Sequence, residues 1–327
     1  MLDIYKINLQ LFAELNTNVT TDSGLSVENK THYDMTLIDE ASPNLIHDQF
    51  GQKRPIPKNG GKKIEFRKFA SLPKALTPLT EGVTPDGKKL SATSIEAEVA
   101  QYGDYVTLSD VLDLTTIDPV VVEATKVVGR QAGLTLDTIT RNILHSGTNV
   151  FYAPKGDGTA VTSRTALDET CKLTVDLVRR VVAFLKKNNA PKINGDYIAI
   201  IHPYAAYDLM SDDDWKYPHQ YQDTSNIYEG EIGKIAGVRF VETSEAKVYS
   251  GGVLGTLFLA EGAYGITEIT GGGLETIIKQ LGSAGTADPL NQRSTVGWKA
   301  IKTAEILVDA YMVRVEHKTA LSDIEEN

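Results

Sequence analysis

Six histidines, at positions 32, 47, 145, 202, 219 and 317, a single cysteine, Cys171, and the carboxylate run Asp212-Asp213-Asp214 are the residues of this 327-residue chain that invite a chemical reading. The histidines are dispersed, and none has the paired spacing a zinc site requires. His202 follows the apolar run YIAII and precedes Pro203, the best placement for acid–base work. No serine, cysteine or carboxylate is set by motif to partner it, so it reads as a structural histidine ending a strand. Cys171 has no neighbouring base and reads as a buried thiol. The three aspartates lack the alternating ligands, glycine and terminal glutamate of a calcium loop and read as a solvated acidic turn. Gly230, Gly233 and Gly237 are misspaced for a dinucleotide site and precede their strand. Trp215, Tyr217 and Tyr221 could line a sugar pocket, but read as an aromatic surface buried against the fold or another subunit. Neither a phosphate loop nor a GxSxG elbow occurs. The sequence therefore offers no catalytic constellation, and no metal or cofactor is expected.

Composition narrows the class. With 41% hydrophobic and 23% charged residues the chain is globular, of one large or two moderate domains. A lone cysteine cannot form an internal disulfide, which suits a reducing cytoplasm. No apolar run reaches the roughly 18 residues of a membrane span. The start, MLDIYKINLQLFAELN, lacks the charge order and cleavage site of a signal peptide and is expected to be retained, docking Ile4, Ile7, Leu11 and Leu15 on some surface. A net charge of −10 argues against a broad nucleic-acid grip. The charge is uneven: Lys53, Arg54, Lys58, Lys62, Lys63, Arg67 and Lys68 face only Glu65 in residues 51–70, whereas residues 204–245 hold nine carboxylates. Either both runs are solvated faces, or the basic run lies on an acidic patch of a neighbouring copy.

The elements that would position these residues follow from periodicity. Residues 16–60 are polar and punctuated, an arm with a short helix at Met35–Ile38. Ile64 and Phe66 on one side, and Ile95, Ala97 and Val99 on the other, follow strand alternation. Between them runs an excursion of some 25 residues carrying Pro73, Pro78, Gly82, Pro85 and Gly87, far longer than the usual hairpin loop of about 2–5 residues. A spine helix is predicted from the Asp118 cap and Pro119 through Val121, Ala124, Val128, Ala132, Leu136, Ile139 and Ile143 to Gly147, with Gly129 and Gly133 admitting another backbone. A second helix starts at the Thr174 cap and carries Lys186 and Lys187 in its last turn. Strands are predicted at 197–201, 238–243, in TLFLAEGAYGITEI, and at 274–280, 294–308 and 311–317, with a reversal at Asp309-Ala310. The alternation in the middle of the chain describes an α/β unit.

A two-stranded hairpin is at best marginally stable alone. This finger is too long to lie wholly over its own body and its tip lacks the apolar content for a core. It needs a foreign surface, which favours a protein that holds copies of itself together, head to tail.

Several long segments carry a resemblance in the same order. These are KINLQLFAE from Lys6, KIEFRKFASLPKALTPLTEGVTPDGKKLS from Lys63, VAQYGDYVTLSDVLDLT from Val99, IHPYAAYDLMSDDDW from Ile201, YEGEIGKIAGVRFVET from Tyr228 and VGWKAIKTAEILVDAYMVRVEH from Val296. Over nearly the whole chain they resemble the major capsid proteins of tailed bacteriophages. The resemblance implies an α+β wedge: an N-terminal arm (1–52), an extended β-hairpin loop (53–110), a peripheral domain holding the spine helix (111–165) and the terminal strands (271–327), and an α/β axial domain (166–270). It implies a virion shell protein, not an enzyme, assembling with itself as pentamers and hexamers into an icosahedral capsid around double-stranded DNA in the host bacterial cytoplasm. Scaffolding, portal and decoration proteins are further expected partners, and no membrane is. An acidic wall would let DNA be spooled in without sticking.

The inter-subunit contacts expected on that reading are Lys53, Arg54, Lys62, Lys63, Phe66, Arg67, Lys68, Phe69, Leu79, Glu81, Lys88 and Lys89. Some relatives carry a long scaffolding segment before the arm; here the arm begins almost at once, so a separate scaffold, or none, is expected. Loop cross-linking through lysine and asparagine is not carried over, because no motif matches a cross-linking residue among Lys74, Lys88 and Lys89. An encapsulin-like nanocompartment shell is the second reading, and a hydrolase using His202 a distant third.

Overall fold

A computed structural model of the chain describes residues 17–18, 46–69, 72–79, 81–84, 86–117, 120–215, 233–270, 272–321, 324 and 326–327. The amphipathic start, the Met35–Ile38 helix, the Asp118–Pro119 cap, His32, His219, Tyr217, Tyr221 and Gly230 lie outside these. The chain forms two compact units, one of Met1–Ser42, Gln101–Gly133 and Leu274–Ala300, the other of Pro43–Ala100, Leu134–Gly273 and Ile301–Asn327.

In the larger unit a seven-stranded sheet runs in the order Val150–Tyr152, Met312–His317, Val253–Leu259, Tyr197–Ile201, Val238–Glu242, Lys234–Ile235, with Val248–Tyr249 paired to Val253–Leu259. Every residue of Tyr197–Ile201 and Val253–Leu259 is buried, as expected for central strands covered on both faces. Alternation sorts their side chains into two cores. Ala199, Ile201 and Phe258 join Val178, Val181 and Leu185 of the helix Val175–Lys187. Ile198, Ile200, Leu257 and Leu259 join Leu144, Tyr264 and Met312. Thr174 caps the helix as predicted, accepting from Leu177 N.

The sequence differs from the structure in three places here. The closing strand Met312–His317, grouped in sequence with the terminal strands, lies beside Val253–Leu259 in this sheet. TLFLAEGAYGITEI forms two strands, Val253–Leu259 and Tyr264–Glu268, separated by a turn in which Gly262 takes φ 73°. Gly147 is not a left-handed helix cap. A Cβ there would come within 2.6 Å of Met312 Cε, so a larger residue would have to displace the end of that side chain.

A smaller ladder in the same unit pairs Tyr264–Glu268 antiparallel with Lys302–Ile306 and parallel with Gln52–Lys53. The finger strands Lys63–Phe69 and Ala92–Glu98 form their own antiparallel pair, in register from Lys63↔Glu98 to Phe69↔Ala92.

In the other unit Glu275–Lys279 pairs antiparallel with Thr295–Lys299, and Thr17–Asn18 runs parallel to Thr107–Leu108. The arm thus contributes a strand. A short helix, Asp110–Thr115, not expected from sequence, begins at Ser109, whose hydroxyl accepts from Leu112 N. The spine helix spans Val120–Leu144, about 38 Å at 1.5 Å per residue, its residues through Gly133 counted in this unit and the rest in the larger one. Its predicted stripe is buried at Val128, Ala132 and Leu136. Nothing lies within 4 Å of a Cβ built on Gly129 or Gly133, so the expected backbone partner is absent at those positions among the described residues.

Candidate assembly surfaces

The base of the finger is anchored by one aromatic ring. Strand alternation turns Phe66 away from solvent, leaving it 5% exposed, while Arg67 and Phe69 point outward. Its ring edge occupies the space a side chain would fill at Gly265, and the Arg54 guanidinium lies 5.7 Å from the ring centroid. Phe66 was expected among the inter-subunit contacts; its side chain is instead an internal anchor, because Gly265 opens a slot for it.

The other expected contacts differ. Lys53, Arg54, Lys62, Lys63, Arg67, Phe69, Leu79, Glu81, Lys88 and Lys89 are all exposed, and Lys68 sits on the finger strand opposite Thr93. Lys63 meets Glu96 at 3.4 Å and Arg67 meets Glu65 at 2.9 Å, the latter pair holding the Glu65 carboxyl below its ordinary range. Such exposed pairs are screened by solvent, add little to stability and leave the cations available. Lys88 Nζ donates to Pro73 O at 3.3 Å across the finger. Beyond the paired strands Leu72, Leu76, Leu79, Val83 and Leu90 are exposed, Leu76 at 82%.

A buried polar cluster fixes the segment that leads into the finger. Asp137 on the spine helix accepts from His47 N at 2.9 Å and pairs with His47 Nδ1 at 2.7 Å. Asp48 accepts from Thr140 Oγ1 at 2.7 Å and pairs with Lys302, whose ammonium also donates to Leu136 O at 3.1 Å. The Tyr264 hydroxyl donates to His47 O, and burial pushes its pKa far up. None of these pairings is legible in sequence, since their members lie 90 to 254 positions apart.

The residues that invited chemistry hold structure. His202 Nδ1 accepts from Tyr204 N at 3.1 Å and caps the helix Pro203–Met210; burial lowers its pKa. Asp212 accepts from Val175 N at 2.9 Å and Asp214 pairs with Arg179 at 2.8 Å, so the acidic run clamps a helix start. Asp208 is buried and accepts from Ala320 N at 3.1 Å. Glu245 lies 3.8 Å from Arg141. Asp208, Asp212 and Glu245 are therefore engaged within their own chain, whereas Asp213 and Asp214 stay exposed. Trp215 packs edge-on against Phe240 and is 6% exposed, and the Cys171 thiol, pushed up by burial, lies beside Asp168. Glu316, which sequence reasoning missed, is fully buried and takes both Arg164, through Nε at 2.7 Å, and Arg314, through Nε at 2.9 Å. An open groove of about 560 Å³ lined by Tyr102, Asp104, Tyr105, Trp298 and Lys299 contains no nucleophile–base pair, and its Asp104 accepts from Gln131 at 2.6 Å.

Among the described residues no group of three potential ligands could hold a metal ion, and no helix is long and apolar enough to cross a membrane.

Comparison with known proteins accords with a surface-bearing shell protein. A family model described as phage capsid protein matches residues 92–313, more than half of the chain. No curated protein matches it. The capsid protein of cyanophage P-SCSP1u superposes with a TM-score of 0.68 at 14% identity, covering 88% of this chain and 93% of that one. The capsid protein of cyanophage Pam1 gives 0.65 at 14% identity, covering 81% and 87%. The SrpI encapsulin of Synechococcus elongatus shares the fold more distantly, at 0.54 and 9% identity over 85% and 89%. The solved structures show the shared fold, and the family match over more than half of the chain places it in the phage capsid protein family.

Proposed function

We propose that this major capsid protein forms the icosahedral shell of a tailed bacteriophage as pentamers and hexamers around double-stranded DNA, with the finger and arm crossing onto adjoining copies. The observation that carries the proposal is the finger itself: five large apolar residues between Leu72 and Leu90 stand in water, whereas the buried side chains of the hairpin, Phe66, Ala97 and Val99, lie at its base. Burying each such side chain is worth roughly 1.5–3 kcal/mol, which is available only on another molecule. The role is structural, with no catalysis by His202, whose ring nitrogen serves a helix cap. The shell is built in the host bacterial cytoplasm; scaffolding, portal and decoration proteins are its further partners, and its DNA is held without sequence recognition.

Electron microscopy of the purified chain, alone and with phage partners, tests this: capsomers, tubes or shells are expected, and persistent monomers would sink it. Deleting Thr77–Leu90 is expected to abolish particles while leaving the body folded. The encapsulin likeness supports a second reading, a nanocompartment; finding an enzyme instead of DNA inside native particles would select it.

A further inference from the structure

We propose that the edge strand Glu275–Lys279 pairs antiparallel with the same strand of a second copy across a two-fold axis. The inference rests on the shell-forming reading, which brings copies together, and assigns one contact between them. Glu275–Lys279 is paired with Thr295–Lys299 on one side, and among the described residues no strand lies along its other edge. Such an edge presents a row of backbone donors and acceptors that a further strand can take up. Four of its five residues are exposed and Ile277 is half-buried. No glycine or proline interrupts it, so nothing in the strand bends it away from a neighbour.

Charge selects the occupant and its direction. Glu275 and Lys279 are the only charged residues from Leu274 to Leu281. They lie two residues either side of Ile277, so strand alternation puts all three on one face. A parallel, in-register neighbour would set Glu275 on Glu275 and Lys279 on Lys279. An antiparallel copy turned about Ile277 sets Glu275 on Lys279 at both ends, Ile277 on Ile277 between them, and Thr276 on Ile278 on the opposite face. Directly opposed unlike charges stabilise a ladder, and like charges destabilise it. Within its own sheet Lys279 stands opposite Thr295 and meets no carboxylate there, while Glu275 lies 3.5 Å from Lys299 and stays 61% exposed, open to a second cation. A segment complementary to its own reversal is what an isologous contact requires. Five paired residues are too few to hold a dimer alone, so the contact closes where the shell already keeps two copies near each other.

The test uses particles of the full-length chain carrying Ile277→Cys, oxidised with copper phenanthroline and resolved on a non-reducing gel; the native Cys171 is fully buried and does not compete. Opposed ladder residues stand about 4.5–5.5 Å apart at Cα, within disulfide reach, so a dimer joined through position 277 is expected. Lys279→Cys is expected to give none, because the two 279 positions would lie about 14 Å apart, four residues at roughly 3.4 Å each. Absence of the dimer at 277, or linkage at both positions, overturns the pairing. Particle yield gives a second readout that needs no cysteine: Glu275→Lys and Lys279→Glu alone are each expected to lower it roughly threefold or more, and the two together to restore it. Equal yields from all three overturn the pairing and leave the shell intact, whereas failure of the wild-type chain to form any particle overturns the shell reading and the pairing with it.

Discussion

A Cβ built on Gly265 would lie 2.9 Å from Cζ of Phe66, so the aromatic ring at the finger's base occupies the volume of a missing side chain. The strand Tyr264–Glu268 tolerates glycine there because Tyr264 and Ile266 on either side are held in the core. Glycine weakens a strand in isolation, and here the loss is offset by seating an aromatic ring.

Gly265→Val is expected to lift Phe66 from its slot and destabilise the larger unit by about 1–3 kcal/mol, the usual cost of overpacking. Phe66→Ala leaves the slot empty and is expected to cost about 3 kcal/mol. Chemical denaturation measures both. Particle yield should fall with each, since a displaced base misdirects the tip.

The Asp48–Lys302 pair is mostly buried, and Lys302 also satisfies the Leu136 carbonyl. Lys302→Ala strands the Asp48 carboxylate and is expected to cost about 3–5 kcal/mol. Lys302→Met, combined with Asp48→Leu to remove both charges, should recover much of that loss in the same denaturation assay.

Glu316 is the shared counter-ion of Arg164 and Arg314. Glu316→Gln removes the charge while keeping the shape, leaving two guanidiniums near the Tyr249 ring without their counter-ion. A loss of about 3 kcal/mol or more in unfolding free energy is expected.

His317 is fully buried, with Nε2 paired to Thr256 Oγ1 at 2.9 Å, and burial lowers its pKa to about 4. An exposed histidine titrates near 6.5. Below that pH the unfolded chain takes up a proton that the folded chain refuses, so stability is full above about pH 6.5, declines as pH falls toward about 4, and receives no further penalty from this group below it. The expected loss is about 3 kcal/mol. His145, buried beside Arg141 and Arg314 and driven the same way, deepens the decline. A pH series of unfolding midpoints should show it, and His317→Gln should flatten the acid limb.

His202→Ala removes the cap on Pro203–Met210 and is expected to lower stability by about 1 kcal/mol, with shells still forming. Loss of particles without loss of stability would assign His202 a role beyond capping.

What the sequence determined by itself was local or repetitive. The spine helix, the Thr174-capped helix and the strand at 197–201 follow from side-chain period and capping chemistry, which act within a few residues and need no tertiary partner. The long, turn-rich gap between the alternating stretches around Ile64 and Ile95 marked the finger, because no short hairpin contains so many breakers. Sequence also placed the cations that remain exposed along it. Tertiary structure alone decided what the inward faces meet. Alternation puts Phe66 and Phe69 on opposite faces of the strand, but only Gly265, some two hundred positions away, opens the slot that the Phe66 ring fills. Asp212 reads as part of a solvated turn until the start of Val175–Lys187 comes beside it, while Asp213 and Asp214 stay exposed as read. The Met312–His317 strand reads as part of a terminal meander until it enters the central sheet next to Val253–Leu259. In each case the deciding partner is remote in the chain, and a side chain's period specifies that it has a buried face without specifying what that face will meet.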